Sequence, residues 1–525
     1  MLGGFFMDFL YRNIHMEQKK WEATSQITIE EDINVPDVKG DCMSILLKDA
    51  TLRVDETRVG RDQVVVKGAL NYQILYLAGT KLEELCGALD FEEVINVAGA
   101  VPGDLASAKG VIEDFKVSMI NTRKLAIQSV VMLHIVNYQQ MEEVWTEDII
   151  NCGNGVQKKC EAKNVLQLVQ KKTDVFRVKE ELELPGGYPS IQKILWKRIT
   201  LGDFETRPMD GRMSLKGELC CNIIYVGQGQ NQAIKLVSKK VPFHGMIECS
   251  GCDNDMHVSV IPVLHQYALE IKKDLDGEDR ILFLDAPLDV QIRIYAPEKV
   301  NLLKDVYSTK EEMMPEEKTT YAPVLYLAGE GKCKLKQTHT LKEGTPFVTQ
   351  VLHTLGHIYP DREIWEEGKL HMMGSVEMQI LYATGEEEMP YAVTECMVPY
   401  TLEMESGITE QSLEDKPIVL IEPRLEQVET MQIDSRELEI KGVVSCSVLV
   451  VGANQDACLG DVRIEPIDTA KYALIPSVVV CFAEEDTPLW EYGKRYYMPV
   501  EDMKKLNNIS ADVLKAGEKM MLVKG

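Results

Sequence analysis

One strand-forming phrase occurs three times at nearly constant spacing, and this repetition restricts the possible fold more than any other feature. Each copy has a glycine and, eight residues later, a tyrosine that closes a run of alternating apolar residues. The glycines are Gly68, Gly217 and Gly374, which lie 149 and 157 residues apart. Such alternation is typical of a half-buried β-strand, and a glycine within it indicates a bulge or a close backbone approach. The chain is therefore predicted to contain one β-rich unit in three copies.

Other landmarks repeat in step with the glycines. Pro36 and Pro185 each lie 32 residues before their glycine, whereas the third copy lacks this proline. An arginine precedes a later alternating strand in every copy, at Arg123, Arg280 and Arg436. These landmarks extend the similarity well beyond the glycine phrase and support a duplicated unit.

The third copy also contains an echo of the phrase at Gly442, which suggests that each unit consists of two similar β-layers packed face to face. Turn-rich stretches at residues 151–155 and 308–320 are predicted to separate the units. The predicted divisions are an N-terminal leader (1–20), three repeats (21–150, 165–300 and 320–460) and a terminal module (475–525).

The charge balance limits the possible partners. The chain has 57 basic and 83 acidic residues, a net charge of -26. Binding to nucleic acid or to an anionic membrane needs clustered Lys and Arg, so neither is expected. The acidic excess serves either solubility or attraction to a basic partner surface. The sequence contains no run of about eighteen apolar residues, so no transmembrane segment is predicted. Its thirteen cysteines lack framework spacing, which fits a reducing compartment.

Candidate catalytic and metal motifs are incomplete. Cys249 and Cys252 form a single CxxC, whereas a structural zinc site needs four ligands. His353 and His357 are four residues apart, but Thr354 stands where a zinc protease has its glutamate, so the spacing is interpreted as chance. The sequence shows no phosphate loop and no nucleophile elbow. We therefore expect no catalytic residues, no metal and no cofactor. The remaining enzyme hypothesis is a hydrolase with a titratable pocket in one repeat.

The pattern changes after about Pro466. Val478–Phe482 is a predicted strand. Thr487 is the predicted N-cap of a helix with Pro488 at its first position. A second short helix follows Pro499, and residues 520–523 close the segment as another strand. The resulting β-α-α-β order predicts a compact module.

This terminal segment resembles LysM. It departs from that family at Glu485, where Gly is usual, at the additional Pro488, and at Tyr492 and Gly493, which replace an Ile-Ala pair. LysM modules commonly bind N-acetylglucosamine polymers through the first β-α loop and the loop before the last strand. The resemblance rests on residues 478–482, 486–487, 489–490, 494–496, 500–503, 506–509, 515–517 and 520–523.

The predicted binding residues combine those two loops with the aromatic helix between them. Four aromatic residues crowd that helix, and they either form the small core or serve as exposed anchors for a partner. Arg495 would fit the same anchoring patch. The partner-binding or glycan-binding residues are predicted to be Asp486, Thr487, Pro488, Trp490, Arg495, Tyr497, Asn508, Ile509 and Ser510.

The repeats resemble the SPOCS domain of spore-coat-associated proteins, on residues 33–37, 67–76 and 121–125. SPOCS domains followed by a terminal LysM are the layout of SipL-type spore morphogenetic proteins. The resemblance implies a protein of the mother-cell cytoplasm at the outer forespore surface and in the spore coat. It further implies a non-enzymatic coat-assembly scaffold whose LysM docks the coat-basement morphogenetic ATPase of the SpoIVA type.

The expected fold is mainly β, with three tandem β-sandwich-like SPOCS repeats and a small βααβ LysM module. A second hypothesis is a cell-wall or cortex protein whose LysM binds the N-acetylglucosamine chains of peptidoglycan. A peptidoglycan sedimentation assay distinguishes the two hypotheses.

Overall fold

The computed structural model describes residues 7–153, 155–229, 233–264, 266–408 and 417–524, and the chain is mainly β. Strands β1 to β6 are Asp8–Asn34, Ser44–Val59, Gln63–Ala78, Lys81–Asn96, Ser107–Asn121 and Lys124–Ile150. Strands β7 to β13 are Val156–Glu183, Ile191–Met209, Arg212–Gly227, Ile234–Glu248, His257–Val263, Ala268–Lys273 and Asp279–Ser308. Strands β14 to β19 are Glu311–Thr340, Gln350–Glu366, Lys369–Ala383, Tyr391–Glu405, Ile418–Gln432 and Glu437–Pro466.

The remaining elements lie in the C-terminal segment. Its helices are α1 (Thr469–Leu474), α2 (Leu489–Tyr496) and α3 (Val500–Asn507). Its strands are β20 (Val478–Phe482), β21 (Thr487–Pro488), β22 (Val513–Leu514) and β23 (Lys519–Val523).

Strands β1 to β19 form three pairs of small antiparallel sheets. In the first pair, β2-β3-β4 faces β1-β6-β5, and apolar side chains of both sheets share one core that includes Val64, Leu70 and Leu133. The second pair combines β8-β9-β10 with a sheet in which β13 pairs with β7 on one side and with β11 and β12 on the other. The third pair combines β15-β16-β17 with β14-β19-β18. Each pair buries the apolar faces that alternation along its strands creates.

Each repeated glycine lies on the central strand of its sheet, opposite a register shift in the preceding strand. A Cβ on Gly68 would lie 2.8 Å from the Phe91 ring. Phe243 covers Gly217 and Tyr400 covers Gly374 in the same way, with ring atoms 2.7 Å from the added Cβ. The prediction of a bulge or close approach at this glycine is confirmed, because a side chain here would collide with the neighbouring strands.

The repeated tyrosine and arginine fasten the loop that follows the first long strand of each pair. The tyrosine hydroxyl donates to a carbonyl 36 residues earlier, in Tyr76–Gly40 (3.2 Å), Tyr225–Pro189 (2.9 Å) and Tyr382–Pro346 (3.2 Å). The arginine guanidinium donates to another carbonyl of that loop, in Arg123–Pro36 (3.1 Å), Arg280–Pro185 (3.2 Å) and Arg436–Lys342 (3.4 Å). The sequence landmarks are thus structural contacts that recur in all three sheet pairs.

The three sheet pairs meet in common apolar clusters. Leu75, Ile224 and Leu381, each one residue before a repeated tyrosine, share a buried cluster. The long strands meet in another cluster that contains Trp145 from β6 together with residues of β13 and β19. These shared cores hold the three pairs together as one body.

Two stretches that were predicted to be a turn and a leader belong largely to strands instead. β13 ends at Ser308 and β14 begins at Glu311, so the predicted turn over residues 308–320 is wrong beyond its first residues. Its acidic side chains are tolerated in β14, which pairs with β19, because Glu316 and Glu317 are exposed and Glu311 and Glu312 are only half-buried. Residues 8–20 of the predicted leader lie in β1, where Ile14 and Met16 are buried, and residues 1–6 lie outside the described residues.

Candidate functional site

The C-terminal segment has an apolar core of its own. β20 pairs with β23, and helices α2 and α3 pack against this two-stranded sheet. Leu489, Met503 and Leu522 are almost fully buried at the centre of that core. The periodic apolar residues of both helices therefore serve mainly to close a small core beside the large body.

The first helix begins one residue later than the sequence predicts. Thr487 and Pro488 form β21, which pairs with β22, and α2 starts at Leu489 with Pro488 as its N-cap. The Thr487 hydroxyl donates to the Glu485 carbonyl at 3.0 Å. The prediction of Thr487 as the N-cap is wrong, because backbone pairing with Leu514 holds this residue in a strand.

One face of α2 contacts the end of β13. The Trp490 ring packs edge-on against the Tyr307 ring, with 4.7 Å between their centroids. Trp490 Nε1 and Lys494 Nζ both donate to Asp305 Oδ2 at 2.7 Å. The Tyr307 hydroxyl donates to the Met498 carbonyl at 2.8 Å, and burial raises the pKa of Tyr307. An aromatic pair, a charged hydrogen bond and a buried tyrosine therefore join the terminal segment to the body.

Gly493 allows this close contact. A Cβ at this position would collide with the Tyr307 hydroxyl and lie 2.9 Å from its Cζ atom and 3.0 Å from the Met498 carbonyl oxygen. Resemblance to LysM would place Ala here. The departure from that pattern has a physical reason, because only glycine leaves room for the Tyr307 side chain.

Tyr497 makes the second anchoring contact. Its hydroxyl donates to the Glu312 carboxylate in β14, and its ring lies 5.7 Å from the Tyr472 ring of α1. Burial, together with the Glu312 carboxylate, raises the pKa of Tyr497 to about 12. Tyr497 also has φ 54°, a left-handed conformation that costs a residue with a side chain about 1–2 kcal/mol. Its contacts with Glu312 and Tyr472 offset that cost.

The two predicted binding loops lie on another part of the module. Asp486 accepts hydrogen bonds from Lys515 Nζ at 2.6 Å and from the Ala516 N–H at 3.0 Å, and these donors hold the pKa of Asp486 below its usual value. Pro488 is exposed next to Val513. The first loop thus runs beside residues 512–516, just beyond the second loop.

The second loop follows α3. Asn508 is exposed and ends α3 in a left-handed conformation, with φ 53°. Ile509 packs partly on the core of the module, and Ser510 is exposed. Of the predicted loop residues with polar side chains, Asp486, Asn508 and Ser510 are exposed and Thr487 is half-buried.

The nine predicted residues therefore separate into three groups. Trp490 and Tyr497 contact the body, the six loop residues form a separate surface, and Arg495 is exposed on α2. Trp490 and Tyr497 are neither part of the small core nor fully exposed, because they lie in the interface between the terminal module and the body. Sequence reasoning missed their contacts Asp305, Tyr307 and Glu312, because these lie about 185 residues away. Gly493 was the one local signal of a close contact.

Comparison with protein families gives a match to the SipL, SPOCS domain model over residues 41–120 and 190–272. Both matched segments are SPOCS domains of the SipL family. The first runs from just before β2 to the end of β5, and the second from the start of β8 through most of β12. Neither the curated proteins nor the solved structures give a match. The SPOCS match indicates a sporulation-related protein built on a β-rich scaffold.

The two SPOCS domains and the third sheet pair meet at a buried polar junction. Arg198, from the second SPOCS domain, donates to Asp49 of the first at 2.7 Å. His357 Nε2 in β15 lies 3.2 Å from the other Asp49 oxygen. Burial would raise the pKa of Asp49, but the charges of Arg198 and His357 lower it to about 2. Arg198 Nη1 also lies 3.1 Å from His357 Nε2, so these three side chains form one polar cluster that joins all three sheet pairs.

His353 lies beside this junction. Its side chain is 6% exposed, and burial and the Arg198 charge lower its pKa to about 4. Its Nε2 atom has no hydrogen-bond partner among the described residues. Both histidines lie in strand β15, where a spacing of four places them on the same face, and they line a cavity of about 1660 Å³ between the sheet pairs.

The CxxC segment forms a turn within the second SPOCS domain. Cys249 and Cys252 are buried, their main chains pair with Gly211, and burial raises the pKa of both thiols. The described part of the chain holds no cluster of three or more His, Cys, Asp or Glu side chains placed for a metal ion. Among its helices, none is long and apolar enough to cross a bilayer.

Proposed function

We propose that this protein is a non-enzymatic spore-coat assembly scaffold with three tandem SPOCS sandwiches and a terminal LysM-type module. It would act in the mother-cell cytoplasm at the outer forespore surface and in the coat. Its terminal module would dock the coat-basement morphogenetic ATPase of the SpoIVA type. The observation that carries the proposal is the SPOCS match in a chain that ends in a module with its own core.

The contacts that attach the module to the body support a scaffold role. Asp305, Tyr307 and Glu312 hold α2 and its C-cap against the body, while the far side of the module remains in solvent. A partner bound on that side would be placed at a fixed position relative to the SPOCS domains. Fixed relative placement is the property that an assembly scaffold needs.

The polar groups of the junction support the absence of catalysis. Asp49 and Arg198 form an ion pair between two sheet pairs, and the low pKa of His353 keeps it neutral at physiological pH. Groups committed to mutual ion pairs serve cohesion between units more readily than proton transfer.

A truncation tests the proposed docking. Full-length protein and a chain ending at residue 466 are compared for binding to the purified SpoIVA-type ATPase, with thermal unfolding of the body as the folding control. We expect the truncated chain to keep its β-sheet transition and to lose binding. Undiminished binding by the truncated chain would show that the SPOCS body, not the terminal module, docks the ATPase.

Peptidoglycan is the alternative partner, because the exposed loops at residues 486–488 and 508–510 match the positions that LysM uses for glycans. Sedimentation with purified peptidoglycan measures this binding directly. Binding that chito-oligomers compete away, and that Asn508→Ala weakens, would favour the glycan-binding function over the assembly function.

A further inference from the structure

The terminal module exposes an apolar sheet face that the sequence-based site did not include. Val478 and Val480 are 55% and 54% exposed, and Phe482 is 67% exposed. Met521 and Val523, which lie opposite Val480 and Val478 on β23, are also exposed. Five large apolar side chains thus cover one face of a two-stranded sheet, while the opposite face packs on the module's core. An exposed apolar cluster of this kind marks a site of interaction.

The same sheet has a free edge at β20. Among the described strands, β20 pairs with β23 alone. Backbone hydrogen bonds join Lys524 to Ser477 and Ala483 to Glu518, at the two ends of the sheet. Because bonding alternates in an antiparallel pair, the N–H and C=O groups of Val478, Val480 and Phe482 point away from β23. An extended segment can therefore pair with this edge by backbone hydrogen bonds.

The other edge of the sheet is already capped. The Asn507 side chain donates to the Met521 carbonyl and accepts from the Met521 N–H, both at 2.7 Å. This pair of bonds imitates a neighbouring strand at the middle of β23. The sheet is thus open on one side, and that side is β20.

Charge indicates what kind of segment fits the open edge. Glu484 and Glu485 follow β20 after Ala483, and both are exposed. Their carboxylates make no ion pair with any described residue, so the end of the edge is negative. A second copy of this chain fits poorly, because residues 474–477 at the other end of the edge are uncharged and the Lys524 ammonium there already donates to the Tyr472 and Ile475 carbonyls.

We propose that the β20 edge binds an extended segment of a partner protein as a third strand of the sheet. The segment would be apolar at alternate positions, to cover Val478, Val480 and Phe482, and would carry a Lys or Arg next to Glu484 and Glu485. This inference rests on the proposed function, because it names the surface by which the module engages the coat-basement ATPase. The side chains of this edge stay exposed although Trp490 and Tyr497 contact the body.

Hydrogen exchange tests the strand addition without any mutation. The full-length protein is measured alone and with the purified SpoIVA-type ATPase. We expect the Val478, Val480 and Phe482 amides to exchange at least about tenfold more slowly in the complex, because each gains a backbone hydrogen bond. Unchanged exchange of these three amides in a formed complex overturns the inference.

Substitutions give a second test with a matched control. Val480→Pro removes an outward N–H, and proline is tolerated on an edge strand. Phe482→Thr removes an exposed apolar contact and keeps a good strand former. Each is expected to weaken ATPase binding by about tenfold or more, since a lost hydrogen bond or a lost buried phenyl ring has effects of this order. Leu506→Ala, at an exposed apolar position on α3 outside this face, is the control and is expected to change affinity less than about twofold.

The outcomes distinguish the two proposals. If Val480→Pro and Phe482→Thr bind the ATPase as well as the unaltered protein does, the strand-addition inference is overturned and the docking function stands. Failure of the unaltered protein to bind overturns both. Concentration-dependent dimerisation that Val480→Pro abolishes, with ATPase binding intact, would assign the edge to a second copy of the chain instead.

Discussion

The contact between Trp490 and the end of β13 can be tested quantitatively. Trp490→Ala removes an edge-to-face aromatic pair with Tyr307, which contributes about 0.5–1.5 kcal/mol. It also removes the hydrogen bond to the Asp305 carboxylate, which contributes about 1.5–3 kcal/mol. We therefore expect the free energy that holds the module on the body to fall by about 2–4 kcal/mol.

Native-state hydrogen exchange of the α2 amides, in the full-length protein, measures this change. Trp490→Ala should raise their exchange rates and leave the central strands of the body unaffected, because the loss is local. Glu491→Ala, one residue along the same helix and exposed, is the matched control and should change little.

A double-mutant cycle isolates the aromatic pair. Trp490→Ala and Tyr307→Leu should together cost less than the sum of the single changes, by about 1 kcal/mol. Additive effects, or α2 amides that exchange alike in Trp490→Ala and the control, would refute the proposed anchoring contact.

Three further predictions concern other buried positions. Gly493→Ala should loosen the module as Trp490→Ala does, measured by α2 amide exchange, because its Cβ meets Tyr307; unchanged exchange would contradict this contact. Gly68→Ala should lower the unfolding temperature of the body, because the added methyl meets the Arg53 carbonyl and the Phe91 ring; an exposed change such as Gly79→Asn is the control. His353 has a folded pKa of about 4, below its ordinary value of 6.5, so its neutral form is stabilised by folding. Its contribution is complete above pH 6.5 and is lost as the pH falls toward 4, by at most about 3 kcal/mol. Chemical denaturation from pH 7 to pH 4 should show this loss in the unaltered protein and a flatter profile in His353→Leu.

The strand architecture could be predicted because its signals are local. Gly68, Gly217 and Gly374 interrupt runs of strict alternation, and each proves to face a bulge and an aromatic ring on a neighbouring strand. The role of the repeated arginines could be recognised only in the structure, because their carbonyl partners belong to a loop more than 80 residues earlier. A local sequence pattern predicts strands, but it carries no information about contacts between distant segments.

In the terminal module, too, the local features could be predicted and the contacts between distant segments could not. Its helices and closing strand could be predicted from capping residues and periodicity, but Thr487 lies in a strand because its pairing partner, Leu514, is 27 residues away. The role of Trp490 depended on Asp305 and Tyr307, which periodicity could not associate with it. The β20 edge was missed because short apolar runs such as Val478–Phe482 are normally assigned to the core.

The position of the protein in sporulating cells tests the central claim most directly. Fluorescent fusions of the full-length protein and of a chain ending at residue 466 are imaged in mother cells that contain the SpoIVA-type ATPase. A coat-assembly scaffold docked by its terminal module should encircle the forespore when complete and remain diffuse when truncated. A truncated chain that still encircles the forespore, or a complete chain that never reaches it, would contradict the account.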